Sequence, residues 1–280
     1  MDKDMNYDKI EAYKRKLWEE ERSPGTIEKY LRDITSFAAW LDSRALDREI
    51  VIAWKEHLLA ESYLPGTINS MLSALNGYFR FINREDCRAK FLRVQRKMFR
   101  DPAKDLSKND YERLLQAAGA IQNSRLQLLM ETICATGIRV SELKYITVEA
   151  TKVGRAQISL KGKIRLILLP GKLCRKLQKY AHKQKIASGE ILLTRSGKSL
   201  SRRQVWREMK RLCEQAGVEA SRVFPHNLRH LFATTFYKSC RDIVKLADIL
   251  GHSSIETTRI YLISTGEEHV RQLDRLGLVS

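Results

Sequence analysis

Between Arg84 and Lys104 the chain carries eight lysines and arginines (Arg84, Arg88, Lys90, Arg93, Arg96, Lys97, Arg100, Lys104) against three acids (Glu85, Asp86, Asp101), with an Asp101-Pro102 step near its end. A stretch this charged offers little apolar face to bury, and such stretches mark boundaries between folding units. The expected division is a unit over residues 1–84, a basic linker over 85–105 and a second unit over 106–280. Both units are long enough to build a core of their own.

The two sides differ in pattern. Upstream, apolar residues recur at helical spacing: Ile10, Tyr13, Leu17 and Trp18, then Ile27, Tyr30, Leu31, Ile34, Phe37 and Ala38. A third helix is expected over 49–62, and Ile68, Met71, Leu72, Leu75, Tyr78, Phe79 and Ile82 make a fourth. Ser23-Pro24-Gly25-Thr26 and Leu64-Pro65-Gly66-Thr67 punctuate the series, with proline at a helix entry and Ser23 or Thr26 as a cap. Downstream, Leu106-Ser107-x-x-Asp110 opens a helix and Gly137 ends another over 123–135. Gln157–Leu160 and Ile164–Leu169 read as strands joined by a turn at Lys161-Gly162-Lys163. Helices are expected at 171–186, 201–216, 226–239, 242–250, 255–262 and 267–276. The fold class is mainly α with a small β-sheet in the C-terminal domain, and not a βαβ array.

A net charge of +18 over 280 residues points to a polyanionic partner, nucleic acid before a membrane surface. No apolar run approaches the roughly 18 residues of a membrane span. The N-terminal residues show no signal pattern, so the expected location is cytoplasmic. The five cysteines are scattered, with no C-x-x-C pair, which suits reduced thiols rather than a disulfide framework or zinc site.

Pro225-His226-Asn227-Leu228-Arg229-His230, Leu250-Gly251-His252 and Tyr261 crowd chemistry into the last quarter of the chain. His226 and Arg229 share a helix face, and Gly251 ends a helix just before His252. Ser253-x-x-Glu256 has the form of a capping box for a short helix carrying Tyr261. His226 and His230 at i,i+4 resemble a zinc pair, but no glutamate follows His226 and no third ligand stands out, so no metal is expected. A tyrosine nucleophile needs a base or a positive field to attack at neutral pH, and guanidiniums grip phosphate oxygens bidentately. Together these residue types suit metal-free phosphodiester cleavage.

Five segments, in order, resemble the tyrosine recombinases of the phage-integrase family, in the compact Xer-type layout: Ala135-Thr136-Gly137-Ile138-Arg139-Val140-Ser141-Glu142-Leu143, Lys161-Gly162-Lys163-Ile164-Arg165, the Pro225–His230 segment, Leu250-Gly251-His252-Ser253-Ser254, and Thr257-Thr258-Arg259-Ile260-Tyr261. The resemblance implies a two-domain, C-shaped DNA clamp: a helical core-binding domain plus a catalytic domain. It assigns Arg139, His226, Arg229 and His252 to the scissile phosphate and Tyr261 to a 3′-phosphotyrosyl link. It also puts a general-acid lysine on the β-turn. That turn looks one residue short here; Lys161 is the first choice and Lys163 the reserve. Glu142 matches a supporting acidic position. Candidate DNA contacts are Arg93, Arg96, Lys97 and Arg100 in the linker, Lys163, and Arg202, Arg203 and Arg207 on the 201–216 helix, whose apolar stripe is Val205, Met209 and Leu212.

The implied activity is site-specific recombination by a homo-tetramer on two duplexes carrying a specific core site, with no cofactor. Whether a partner recombinase or accessory protein joins it stays open. The alternatives are type IB topoisomerase-like relaxation and a DNA-binding regulator without the reaction.

Overall fold

Three of the first four helices begin where a side-chain oxygen meets a backbone N–H that the helix itself cannot satisfy. Asn6 Oδ1 accepts from Lys9 N at 2.9 Å to start α1 (Tyr7–Glu19), and Ser23 Oγ accepts from Thr26 N at 3.4 Å to start α2 (Pro24–Leu41). Asp47 Oδ1 accepts from Ile50 N at 2.7 Å to start α3 (Arg48–Ala60). The fourth, α4 (Pro65–Phe81), has no side-chain cap and relies on Pro65, whose fixed φ is already helical. The structure is a computed structural model that describes residues 4–94, 102–160, 163–261, 270–271 and 274–276.

The chain divides into two compact units, Met1–Arg96 and Lys97–Ser280. The core of the first is aromatic: Phe37 meets Trp54 edge-on at 5.2 Å between centroids and Phe79 at 6.0 Å, with Tyr78 buried beside them. Two asparagines on one face of α4 then act as strand surrogates. Asn69 exchanges hydrogen bonds with the backbone of Leu92 (2.9 and 2.7 Å), and Asn76 does the same with Ala89 (3.0 and 3.1 Å). Residues 85–92, expected in the linker, therefore pack on the first unit. The rest of the basic stretch through Asp101, with Arg96, Lys97 and Arg100, lies outside the described residues apart from exposed Arg93 and Val94.

In the second unit the Ser107–Asp110 capping box closes in both directions, Asp110 N to Ser107 Oγ at 3.0 Å and Ser107 N to Asp110 Oδ2 at 3.2 Å. It starts α5 (Lys108–Ala120), which packs against α6 (Ser124–Thr136), apolar on most sides and central to the core. A 3-10 turn (Val140–Tyr145) and α7 (Val148–Val153) lead into β1 (Arg155–Leu160), antiparallel to β2 (Lys163–Leu168). Leu160 pairs with Lys163, so Lys163 opens a strand instead of belonging to the turn; its placement is known from the backbone. Lys161 and Gly162, the whole link, lie outside the described residues. The strand period of two puts Ala156, Ile158 and Ile167 inside and leaves Ile164, Leu166 and Leu168 exposed.

The remaining helices are α8 (Gly171–Lys183), α9 (Arg202–Ala216), α10 (Pro225–Cys240), α11 (Ile243–Leu250) and α12 (Ile255–Arg259). Two expectations shift here. The cap of α12 is Ser254, whose Oγ accepts from Glu256 N at 3.2 Å, not Ser253. That helix also ends at Arg259, so Tyr261 sits just past it, tied by its N–H to Thr258 O at 3.0 Å. The expected 267–276 helix falls largely outside the described residues, and among those described no helix is long and apolar enough to cross a membrane.

Candidate active site

Gly137 makes the floor of the site possible. It ends α6 at φ +64°, and a Cβ there would lie 2.5 Å from Phe232 Cδ1 and 2.9 Å from Leu250 Cδ2. A side chain would be strained by both backbone and neighbours. The bare turn lets its carbonyl accept from Arg229 Nη1. Arg229, one turn into α10 and almost wholly buried, also donates from Nη2 to Leu250 O at 2.8 Å and to His252 Nε2 at 2.9 Å. Burial, then the charge of Arg139, pulls its pKa down to about 10, while the Tyr261 hydroxyl acts in the opposite sense. Asn227 anchors the start of α10 by donating to Lys104 O (2.9 Å) and Arg222 O (2.8 Å).

A guanidinium has only donors, so the Arg229 contact makes His252 Nε2 an acceptor. The ring proton then sits on Nδ1 and is donated to Thr258 Oγ1 at 2.8 Å. Thr258 is fully buried. Desolvation, followed by the charges of Arg229, Arg139 and Arg165, pushes the His252 pKa down to about 4. At neutral pH His252 is thus an uncharged imidazole with its basic nitrogen held toward Arg229. His226, at the exposed mouth of α10, is shifted down as well, by desolvation first and then by Arg229 and Arg139.

Tyr261 is only 4% exposed. Its ring lies nearly parallel to His252 (6.0 Å, 12°) and edge-on to His230 (5.0 Å, 61°), within an apolar cluster of Ala233, Leu246 and Leu250. Arg139 is the most open cation of the group, with 43% of its side chain exposed. Its backbone N–H and Nη1 both donate to the buried carboxylate of Glu142, at 2.8 and 2.9 Å. Arg139, His226 and Arg229 line a cleft of about 560 Å³ together with Arg202, Arg203 and Trp206 of α9. Arg207 is exposed on the same helix but does not line that cleft, and Val205, Met209 and Leu212 form the buried stripe.

The structure therefore brings Arg139, His226, Arg229, His252 and Tyr261 into one region of the second unit, with Arg202 and Arg203 at its rim. It says nothing of Lys161. Sequence reasoning gave no role to Thr258, Trp206 or Arg165. Arg165 had a readable signal: it shares the inward register of β2 with Ile167, where a cation must find a carboxylate. Nothing local marked the other two.

Residues 104–268 match the phage integrase family, and residues 10–86 match the phage integrase N-terminal SAM-like domain. The chain is 31% identical over 270 residues to tyrosine recombinase XerA of Thermococcus kodakarensis, covering 94% of this chain and 93% of that one. It is 30% identical over 279 residues to tyrosine recombinase XerD of Pseudomonas aeruginosa, covering 90% and 91%. Its fold is similar to that of the XerH site-specific recombinase bound to difH substrate, with a TM-score of 0.70, 19% identity and coverage of 95% and 84%. A lambda integrase tetramer bound to a Holliday junction gives 0.71, 18% identity and coverage of 91% and 76%. The chain belongs to the phage integrase family of tyrosine recombinases, enzymes that cleave and rejoin DNA.

Proposed function

We propose that this chain carries out site-specific recombination on duplex DNA bearing a core site, with Tyr261 as nucleophile. The observation that carries the reading is the ring of Arg229, His252 and Tyr261 beside the open guanidinium of Arg139. Arg139 and Arg229 take the non-bridging oxygens of the scissile phosphate, stabilising the charge that grows on them. His226 adds a donor at the mouth of the cleft. Neutral His252 accepts the phenolic proton at Nε2 once Arg229 turns toward phosphate, and Tyr261 Oη bonds to phosphorus. The bond from phosphorus to the 5′-oxygen breaks, and that oxygen takes a proton from Lys161, with Lys163 as reserve. A 5′-hydroxyl from a second duplex reverses the step, so exchange needs no external energy source and no cofactor.

Both units grip DNA in this reading. Arg93, Arg96, Lys97 and Arg100 lie along phosphates, while Lys163, Arg202, Arg203 and Arg207 combine phosphate and groove contacts. The assembly is a homo-tetramer on two duplexes, since each site cuts one of four strands. Similarity to Xer-type recombinases along both units supports recombination over relaxation alone.

The test is a nicked duplex, selected from a random-sequence pool by covalent capture and incubated without magnesium. Wild type is expected to give a covalent protein–DNA band, and Tyr261→Phe none. An adduct that survives Tyr261→Phe overturns the assignment. Binding without any adduct returns the regulator reading.

A further inference from the structure

Arg165 is nearly as buried as the core beside it, with 12% of its side chain exposed. Its Nη1 donates to both oxygens of Glu142 at 3.1 Å each, and its Nη2 donates to Ile249 O at 2.5 Å. Nε has no hydrogen-bond partner among the described residues. The stem runs directly beneath Gly251: a Cβ there would stand 2.3 Å from Arg165 Cδ and 2.6 Å from Nε. One side chain thus joins β2, the 3-10 turn that follows Arg139 and bears Glu142, and the end of α11 that turns into His252.

An aliphatic residue could fill this inward position without burying a charge, as Ile167 does two residues on. Burying a charge is costly unless it is paired, and Glu142 is 2% exposed. Arg139 also pairs with Glu142, yet Arg139 is the cation open to the cleft. A turn of the Arg139 guanidinium toward a phosphate would leave the carboxylate its bond from the Arg139 N–H but no cation, were Arg165 not there.

We infer that Arg165 is a positioning residue: it keeps Glu142 compensated while Arg139 engages phosphate, and it pins the β1–β2 ribbon to the His252 turn. The part that concerns phosphate rests on the recombinase reading, and the anchoring itself does not.

The two parts are tested separately. For the chemistry, Arg165→Gln and Arg165→Lys are compared with wild type on the selected nicked duplex. One version carries the normal 5′-oxygen at the cut, and another a bridging 5′-sulfur, a leaving group that needs no general acid. Arg165→Gln is expected to lose about 10²-fold on both, because Arg139 grips the non-bridging oxygens whichever atom leaves. Arg165→Lys, which keeps the charge but not the fork, falls between. A loss confined to the oxygen substrate, or no loss, overturns the role.

For the anchor, amide hydrogen exchange is followed in DNA-free protein. Arg165→Gln should speed exchange at 163–168 and 249–252 and leave α5 and α6 unchanged. Unaltered exchange in those segments, or a uniform rise across the unit, overturns it. A wild type that forms no adduct on any selected duplex defeats the recombinase reading, and the exchange result still decides the anchor.

Discussion

The core of the first unit and the floor of the site in the second are both buried around one large side chain, Trp54 and Arg229, and chemically opposite. In the first unit the buried groups around Trp54 are aromatic rings in edge contacts, and the buried polar exceptions are Asn76, matched to backbone, and Asp33, paired with Lys29. Around Arg229 the buried groups are guanidinium, carboxylate and hydroxyl, with the half-buried imidazole of His252 bonded between Arg229 and Thr258. Burial in the first case yields stability. In the second it fixes donors in advance, where low polarity makes them count most against a charged transition state.

The comparison breaks most sharply with a pair of substitutions. Arg229→Gln should lower cleavage by about 10²- to 10³-fold, as the loss of a preorganised donor does. Trp54→Ala should cost the first unit about 3–5 kcal/mol and leave the intrinsic cleavage rate of protein that remains folded nearly intact. Thermal unfolding and single-turnover cleavage on both variants separate the two. A Trp54→Ala protein that is stable but chemically dead would dissolve the distinction.

The next effect concerns Thr258. Thr258→Val keeps the shape and removes the acceptor for His252 Nδ1–H. An unpaired buried group costs about 1–3 kcal/mol, so cleavage should fall by about 10- to 100-fold if that cost is felt in the transition state. The proton linkage has a definite sign. His252 titrates at about 4 when folded, against 6.5 as its ordinary value, so the unfolded chain binds more protons between those limits. Stability contributed by neutral His252 is therefore complete above pH 6.5 and is lost as pH falls toward 4. NMR titration of the His252 ring should give the low midpoint, and His252→Gln should flatten the decline in stability over that window. A midpoint near 6.5 would show that the ring is neither desolvated nor pressed by the three arginines.

Local rules made part of this legible in advance. The proline entries of α2 and α4 and the Ser107–Asp110 box are near-neighbour chemistry, and the structure forms them. The 3-10 turn and α7 were missed because six residues are too few to show a period. The Arg165–Glu142 pair and the Arg229 carbonyl contacts bridge residues far apart in sequence, and only the fold brings them together. The placement of Tyr261 past α12 goes with its hydrogen bond to Thr258 and its packing on Ala233, Leu246 and Leu250, which spacing alone does not reveal.

The smallest expected effect lies on α9, where the same contrast can be drawn within one helix. Arg203 and Arg207 are both exposed, but only Arg203 lines the cleft beside Trp206. If each merely neutralises a phosphate, replacement by glutamine should reduce the slope of log affinity against log salt by about 0.9 in either case. If Arg203 instead reads a base edge, Arg203→Gln should weaken binding to the selected duplex by about 1–3 kcal/mol and relax preference at one base pair, while Arg207→Gln lowers affinity evenly across sequences. Titrations at several salt concentrations on the selected site and on single-base variants tell these apart. Identical behaviour of the two variants would place α9 wholly on the backbone and move the reading of sequence elsewhere in the chain.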